Sequence, residues 1–128
     1  MDEIAKLVIT LLHASTAAHV LHLQAVGVGS KARHEALGAF YGSMVGLTDK
    51  LAEVYQGNGR AIITPYPDGY VNPGQNGTLS DALEFMQALS EFVAEARKGI
   101  SQASHIQNLV DEIAELIDGT IYQLENLQ

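Results

Sequence analysis

The sequence contains no cysteine and no tryptophan, and only seven of its 128 residues are lysine or arginine. The lack of cysteine excludes disulfide bonds and thiolate metal sites, and it is typical of a protein kept in a reducing compartment. Fifteen acidic residues against seven basic ones give a net charge of −8. Because nucleic-acid-binding proteins normally present a basic face, this balance predicts that the protein does not bind DNA.

Proline is also scarce, and all three prolines lie in one segment, residues 57–78, together with five glycines. Outside this segment the apolar residues recur at helical spacing. The pattern predicts four helices, over residues 2–27, 31–56, 79–98 and 101–127. Gly57 and Gly59 are predicted to end the second helix, and Thr78 is the predicted N-cap of the third.

The length of 128 residues and a hydrophobic fraction of 47% suit a single domain, 1–128, with one core. Two helical hairpins joined by one long connection predict an all-α fold. The specific prediction is a ferritin-like four-helix bundle, with a long crossover loop, 57–78, between the second and third helices.

A membrane span and a secretory signal are not expected. The long uncharged stretch from Leu7 to Ser30 contains three of the chain's five histidines, which makes it a poor span. The start, Met1-Asp2-Glu3, is acidic where a signal peptide is basic. These features predict a cytoplasmic protein without membrane partners.

The histidines suggest a metal site. His22 and His34 lie at equal distances from a turn centred near residue 28, so they should face each other across the first hairpin. His19 lies one turn further from the tip, about 4.5 Å along the helix axis, where it can orient a ligand or a water molecule. Asp49 and Glu53 share one face of the second helix. Imidazole and carboxylate ligands together suit iron, zinc or manganese.

These ligands cannot all come from one hairpin, because Asp49 is fifteen residues from His34, roughly 22 Å along a helix. One possibility is that no four-ligand site exists, with structural histidines and solvated acids. The other is that Asp49 and Glu53 come from a second chain. Gly38, Gly42 and Gly46 on the same helix favour the second possibility, since a two-fold axis near Gly42 would bring His34 level with the partner's Asp49.

The pattern His19-x-x-His22, His34-Glu35 and Asp49-x-x-Ala52-Glu53 resembles the Dps proteins, the miniferritins of starved bacteria. The resemblance implies an iron protein that oxidises Fe(II) with peroxide or dioxygen, for iron storage or protection from oxidants. It implies that His22, His34, Asp49 and Glu53 are the catalytic, metal-binding residues, with the histidines from one subunit and the carboxylates from its two-fold partner. It also implies no more than about two iron ions per site and a dodecameric cage.

The sequence departs from what is usual in the Dps family at two other positions. Leu23 stands where the family usually has tryptophan, and Gly38 stands where it often has a further acid. The basic DNA-binding tail of some members is missing. The chain is similar in size to the small ferritin-like proteins of bacteriophages and their bacterial hosts. The alternative interpretation is a non-enzymatic helical oligomer, a phage or host structural protein whose histidine site is vestigial or holds zinc.

Overall fold

The computed structural model describes residues 3–68 and 81–127, and all regular structure within these two ranges is helical. The prediction of an all-α protein with four helices packed as a bundle is therefore confirmed for the described part of the chain. The helices are α1 (Glu3–Leu23), α2 (Ser30–Gly59), α3 (Ala82–Ala96) and α4 (Ser104–Asn126), with a short 3-10 helix at Arg97–Gly99.

The four helices form a ring in which each helix packs against two others. α1 packs against α2 and α3, and α4 packs against the same two helices. In the described residues α2 and α3 therefore lie diagonally across the bundle from each other, as do α1 and α4.

The core fills the centre of this ring with large side chains from every helix. Burying one such side chain stabilises the fold by about 1.5–3 kcal/mol. The largest fully buried side chains are Leu7, Leu11, Leu37, Phe40, Met44, Leu51, Phe85, Met86, Leu89, Ile106, Ile113 and Ile117.

The tip of the first hairpin contains two glycines in left-handed conformations, Gly27 (φ 91°) and Gly29 (φ 78°). The predicted break at these glycines is present, but α1 ends at Leu23 rather than at residue 27. Its last turn tightens, because the Gln24 N–H donates to the carbonyl oxygens of both Val20 and Leu21, at 3.0 and 3.2 Å. The tip is therefore a rigid turn with a defined register between α1 and α2.

α2 is longer than predicted and includes the glycines that were expected to end it. The residue that adopts the terminating left-handed conformation is Arg60 (φ 55°), whose N–H donates to the Gln56 carbonyl. Beyond it, Ile63 is buried, and its N–H donates to Gln56 Oε1 at 3.0 Å. The connection after α2 is thus anchored to the bundle by Ile63.

The starts of α3 and α4 also differ from the predicted bounds. The predicted N-cap of α3, Thr78, lies outside the described residues, and Asp81 caps the helix by accepting hydrogen bonds from the Leu83 and Glu84 N–H groups. α4 begins at Ser104, because residues 101–103 take part in a side-chain network. In that network Gln107 Nε2 donates to the Ser101 carbonyl, and Arg97 donates to Gln107 and Asp111.

α1 is long and apolar enough, by length and composition alone, to cross a membrane, with a mean hydropathy of 1.5 over its most apolar window. In the bundle, 61% of that window is buried against the other helices. The core helix of a soluble protein and a signal sequence both have this composition, so it does not identify a membrane segment.

Candidate metal centre

His22 and His34 meet across the first hairpin, at the end of α1 and the start of α2. Their rings stack with a centroid separation of 3.6 Å and an interplanar angle of 22°. His22 Nδ1 donates to the backbone carbonyl of His34 at 2.7 Å, and His34 Nδ1 donates to the backbone carbonyl of His22 at 3.0 Å. The predicted pairing of these two residues is therefore present as a reciprocal contact, in which each ring is held by the backbone of the other residue.

This arrangement determines which nitrogen of each ring carries the proton. A carbonyl oxygen can only accept a hydrogen bond, so both rings must be protonated at Nδ1. In the neutral state each Nε2 then carries a lone pair. His34 is exposed and His22 is half-buried. The two rings therefore bring two imidazole groups to one place at the end of the hairpin, each with an Nε2 atom that takes no part in these hydrogen bonds.

Two further aromatic rings extend the pair towards the middle of the hairpin. His19 stacks on Tyr41 with a centroid separation of 4.1 Å and an interplanar angle of 8°. The ring centroids of His22 and Tyr41 are 5.3 Å apart in an edge-to-face arrangement, and those of His19 and His22 are 6.2 Å apart. His19 thus lies beside the His22 ring, and its predicted role as an outer-shell residue stays a prediction.

Tyr41 was missed by the sequence analysis, although its spacing contains a signal. It follows His34 by seven residues, close to two helical turns, and therefore lies on the same side of α2. Its backbone is also fixed, since Ser15 Oγ donates to the Tyr41 carbonyl at 3.1 Å across the hairpin. Tyr41 forms one wall of the space that the His22 ring occupies.

Gly38 leaves room for the His22 ring. A Cβ atom on Gly38 would lie 3.1 Å from Cε1 and 3.2 Å from Nδ1 of His22. Gly42 and Gly46, by contrast, have no atom of the described chain within 4 Å of the position of a Cβ. The three glycines that the sequence analysis treated as one stripe therefore differ. Gly38 makes room for a side chain of its own hairpin, whereas Gly42 and Gly46 face outward.

We expect Gly38→Ala to destabilise the protein and displace the His22 ring. Alanine favours a helix over glycine by about 1 kcal/mol, but overpacking costs about 1–3 kcal/mol. The His22 ring is held by its stacking on His34 and by its hydrogen bond to the His34 carbonyl, so it cannot easily move away from a new Cβ atom. Chemical denaturation should show a net loss of stability of about 1 kcal/mol.

Gly119→Ala is the matched control for this substitution. Gly119 lies in α4 with no described atom within 4 Å of its Cβ position, so alanine there should stabilise the protein by about 1 kcal/mol. Equal stabilisation by the two substitutions would show that the His22 ring is not held as described.

Asp49 and Glu53 are both exposed on α2. They lie beyond the reach of the histidine pair of their own chain, because α2 is a continuous helix between His34 and Glu53. Within the described ranges of one chain, no group of three or more histidine, aspartate and glutamate side chains could hold a metal ion. One chain thus places two imidazole rings at one end of α2 and two carboxylates at the other.

The remaining histidines lie elsewhere, and neither was predicted to bind a metal. His105 is exposed near the start of α4. His13 is half-buried on α1, and burial lowers its pKa because the charged ring would lose solvation. It is therefore held in the neutral state more strongly than an exposed histidine.

A cavity of about 470 Å³ also lies near the tip of the first hairpin, but it does not include the histidine pair. It is lined by Leu21, Gln24, Arg33, Asp81, Ala82, Leu83 and Leu124. The histidine pair lies outside this cavity, with His34 exposed and His22 half-buried.

The comparisons with known proteins identify a family but no function. No curated protein and no solved structure matches the chain. The profile described as "Family of unknown function (DUF5856)" matches residues 22–124, which is most of the sequence and includes His22, His34, Asp49 and Glu53. The chain therefore belongs to the DUF5856 family, a family of unknown function.

Proposed function

We propose that the protein binds Fe(II) and oxidises it at sites shared between two chains, as Dps-like miniferritins do. In each site, His22 and His34 of one chain provide neutral nitrogen ligands, and Asp49 and Glu53 of the partner provide carboxylates. The native state is then a homo-oligomer, at least a two-fold dimer. A dodecameric cage that stores iron is the larger assembly that the Dps resemblance implies.

The observation that carries this proposal is the reciprocal hydrogen bonding of the histidine pair. Histidines that bind a metal through one nitrogen almost always donate from the other nitrogen to a carbonyl or carboxylate, which fixes the ring and its tautomer. His22 and His34 both donate from Nδ1 to backbone carbonyls. Both rings are thus prepared to bind a cation through Nε2, and zinc or manganese would compete with iron for these ligands.

The position of the carboxylates supports a site made by two chains. Asp49 and Glu53 are exposed, and the structure assigns neither of them a hydrogen bond or ion pair with the described part of their own chain. The surface of α2 between them and His34 contains Gly42 and Gly46, which have open space around them. A second α2 helix can approach closely along this surface.

The order of the helices supports a ferritin-like connection. In a simple up-and-down bundle, α2 and α3 would be neighbours joined by a short loop. Here α2 and α3 lie diagonally opposite, and α1 and α4 separate them. A connection that runs from α2 to α3 across the length of the bundle leads to this order of neighbouring helices. Bundles with one long crossover connection have this arrangement.

The chemistry at such a site is a one-electron oxidation of each iron ion. Two Fe(II) ions lose two electrons, and one peroxide molecule accepts them, takes up two protons and leaves as two water molecules. Dioxygen as oxidant accepts four electrons from four Fe(II) ions, supplied by two sites or by two successive pairs of ions, takes up four protons and leaves as two water molecules. The carboxylates of Asp49 and Glu53 favour this direction, since their negative charge stabilises Fe(III) more than Fe(II).

Aerobic titration with Fe(II), followed by the near-ultraviolet absorbance of Fe(III), tests this function. We expect absorbance to grow faster than in buffer alone, with a break at no more than about two iron ions per site. Zn(II) added first should suppress the reaction by occupying the histidine nitrogens. An oxidation rate equal to that of buffer, in a protein shown to be dimeric, would contradict the proposal.

The second candidate is a non-enzymatic helical oligomer in which the histidines serve the hairpin or hold zinc. The reciprocal hydrogen bonds also favour this function, since they join α1 to α2 without any metal. In that case His22 and His34 variants would lose stability, while the wild-type protein would not accelerate Fe(II) oxidation.

A further inference from the structure

The outer face of α2 is exposed along almost its whole length. The exposed residues on this face are Lys31, Glu35, Ala39, Gly42, Ser43, Val45, Gly46, Asp49, Lys50 and Glu53. The centre of the face, from residue 39 to residue 46, carries no charged side chain. All of its charges lie towards the two ends of the helix.

One pair of charges, Lys31 and Glu53, has opposite signs at equal distances from Gly42. Lys31 lies eleven residues before Gly42, and Glu53 lies eleven residues after it. Eleven residues are close to three turns of an α-helix, so Lys31, Gly42 and Glu53 lie along one line on the surface of α2. The helix thus presents a positive charge at one end of this line and a negative charge at the other.

From this charge pattern we infer that the outer face of α2 docks a second copy of the chain, in a register set by two Lys31–Glu53 ion pairs. Antiparallel α2 helices related by a two-fold axis beside Gly42 place Lys31 level with the partner's Glu53, and the symmetry repeats the pair at the other end. The uncharged centre allows the helices to approach. The inference rests on the two-fold dimer of the proposed function but does not depend on iron.

The other charges on this face limit the strength of the docking. In the same register Glu35 is level with the partner's Asp49, a contact between like charges next to His34. Lys50 lies on the flank, one residue from Asp49, and offsets this repulsion. The net attraction between metal-free chains therefore depends on Lys31 and Glu53, the opposite charges on the line through Gly42.

Charge reversal tests this register in a chelator, so that no metal contributes. Sedimentation equilibrium would compare wild type with Lys31→Glu, Glu53→Lys and the double variant. Each single reversal places like charges together at both ends of the interface, and we expect dimer dissociation to become roughly tenfold easier. The double variant restores opposite charges and should dissociate within about threefold of wild type.

Lys98→Glu is the matched control for Lys31→Glu, since Lys98 is exposed next to α3 and both substitutions change the net charge by −2. It should leave the dimer unchanged. Single reversals that behave like Lys98→Glu, or a double variant that dissociates as easily as the singles, would overturn the register. A monomeric wild type would overturn it as well. A dimer with the expected pattern that fails to oxidise Fe(II) would refute only the iron function.

Discussion

Replacing His22 or His34 with alanine should remove most of the Fe(II) oxidation activity and most of the metal affinity. Each substitution would remove one of the two nitrogen ligands of the proposed site, and the carboxylates that remain would bind iron less selectively. His19→Ala should cost less, about 10–100-fold, because His19 acts on the site through the His22 ring. Stopped-flow oxidation assays and metal titration by calorimetry measure both quantities.

The same alanine variants also lose a hydrogen bond that joins α1 to α2, so reduced activity alone does not identify a ligand. Asparagine separates the two roles. Its side-chain amide can place an N–H group near the position of Nδ1, but it offers nothing at Nε2. His34→Asn should therefore keep most of the thermal stability of wild type while losing metal binding. A His34→Asn variant that binds metal normally would exclude His34 as a ligand.

Two inactive variants should restore activity when they are combined in one dimer. His34→Ala damages the nitrogen half of a site, and Glu53→Ala damages the carboxylate half. If the halves come from different chains, a mixed dimer contains one site with both defects and one intact site. Mixed dimers, purified through different tags on the two chains, should therefore show about half of the wild-type activity.

Glu53→Ala also removes one partner of the proposed Lys31–Glu53 ion pair and can weaken the dimer. The activities must therefore be compared at a protein concentration where all the variants are dimeric. The matched control is a mixed dimer of His22→Ala with His34→Ala. Both defects there lie in the nitrogen half, so neither site is intact and activity should stay low. A site shared between chains would be refuted if activity recovered in this control. It would also be refuted if activity did not recover in the mixed dimer of His34→Ala with Glu53→Ala.

The bundle could be predicted from the sequence because its helices have regular apolar spacing and its turns contain glycine. The exact helix ends could not be predicted, since they depend on single residues in specific conformations. Arg60 adopts the left-handed conformation that glycine was expected to provide. Asp81, rather than a residue before it, is the cap observed at the start of α3.

The histidine pair could be predicted because its two residues lie at equal distances from the hairpin turn. The role of Gly38 could not, since helical spacing places backbones but does not place the side chains of a neighbouring helix. The spacing of the glycines indicated a contact between chains, whereas the Cβ position of Gly38 is next to the ring of His22 in its own chain. The stacking of Tyr41 on His19 was missed for the same reason: spacing places Tyr41 on the same side of α2 as His34, but it does not show which side chain of α1 its ring meets.

The reciprocal bonding of His22 and His34 also affects the entropy of ion binding. A free histidine side chain loses rotamer freedom when it binds a cation, which weakens binding by about 0.5–1.5 kcal/mol for each side chain. Here both rings are ordered when the hairpin folds, before any ion arrives. Mobile histidines of equal basicity would bind the same ion more weakly. At the proposed site, the hairpin tip, with Gly27 and Gly29 in their left-handed conformations, would therefore raise the affinity for an ion that neither glycine contacts.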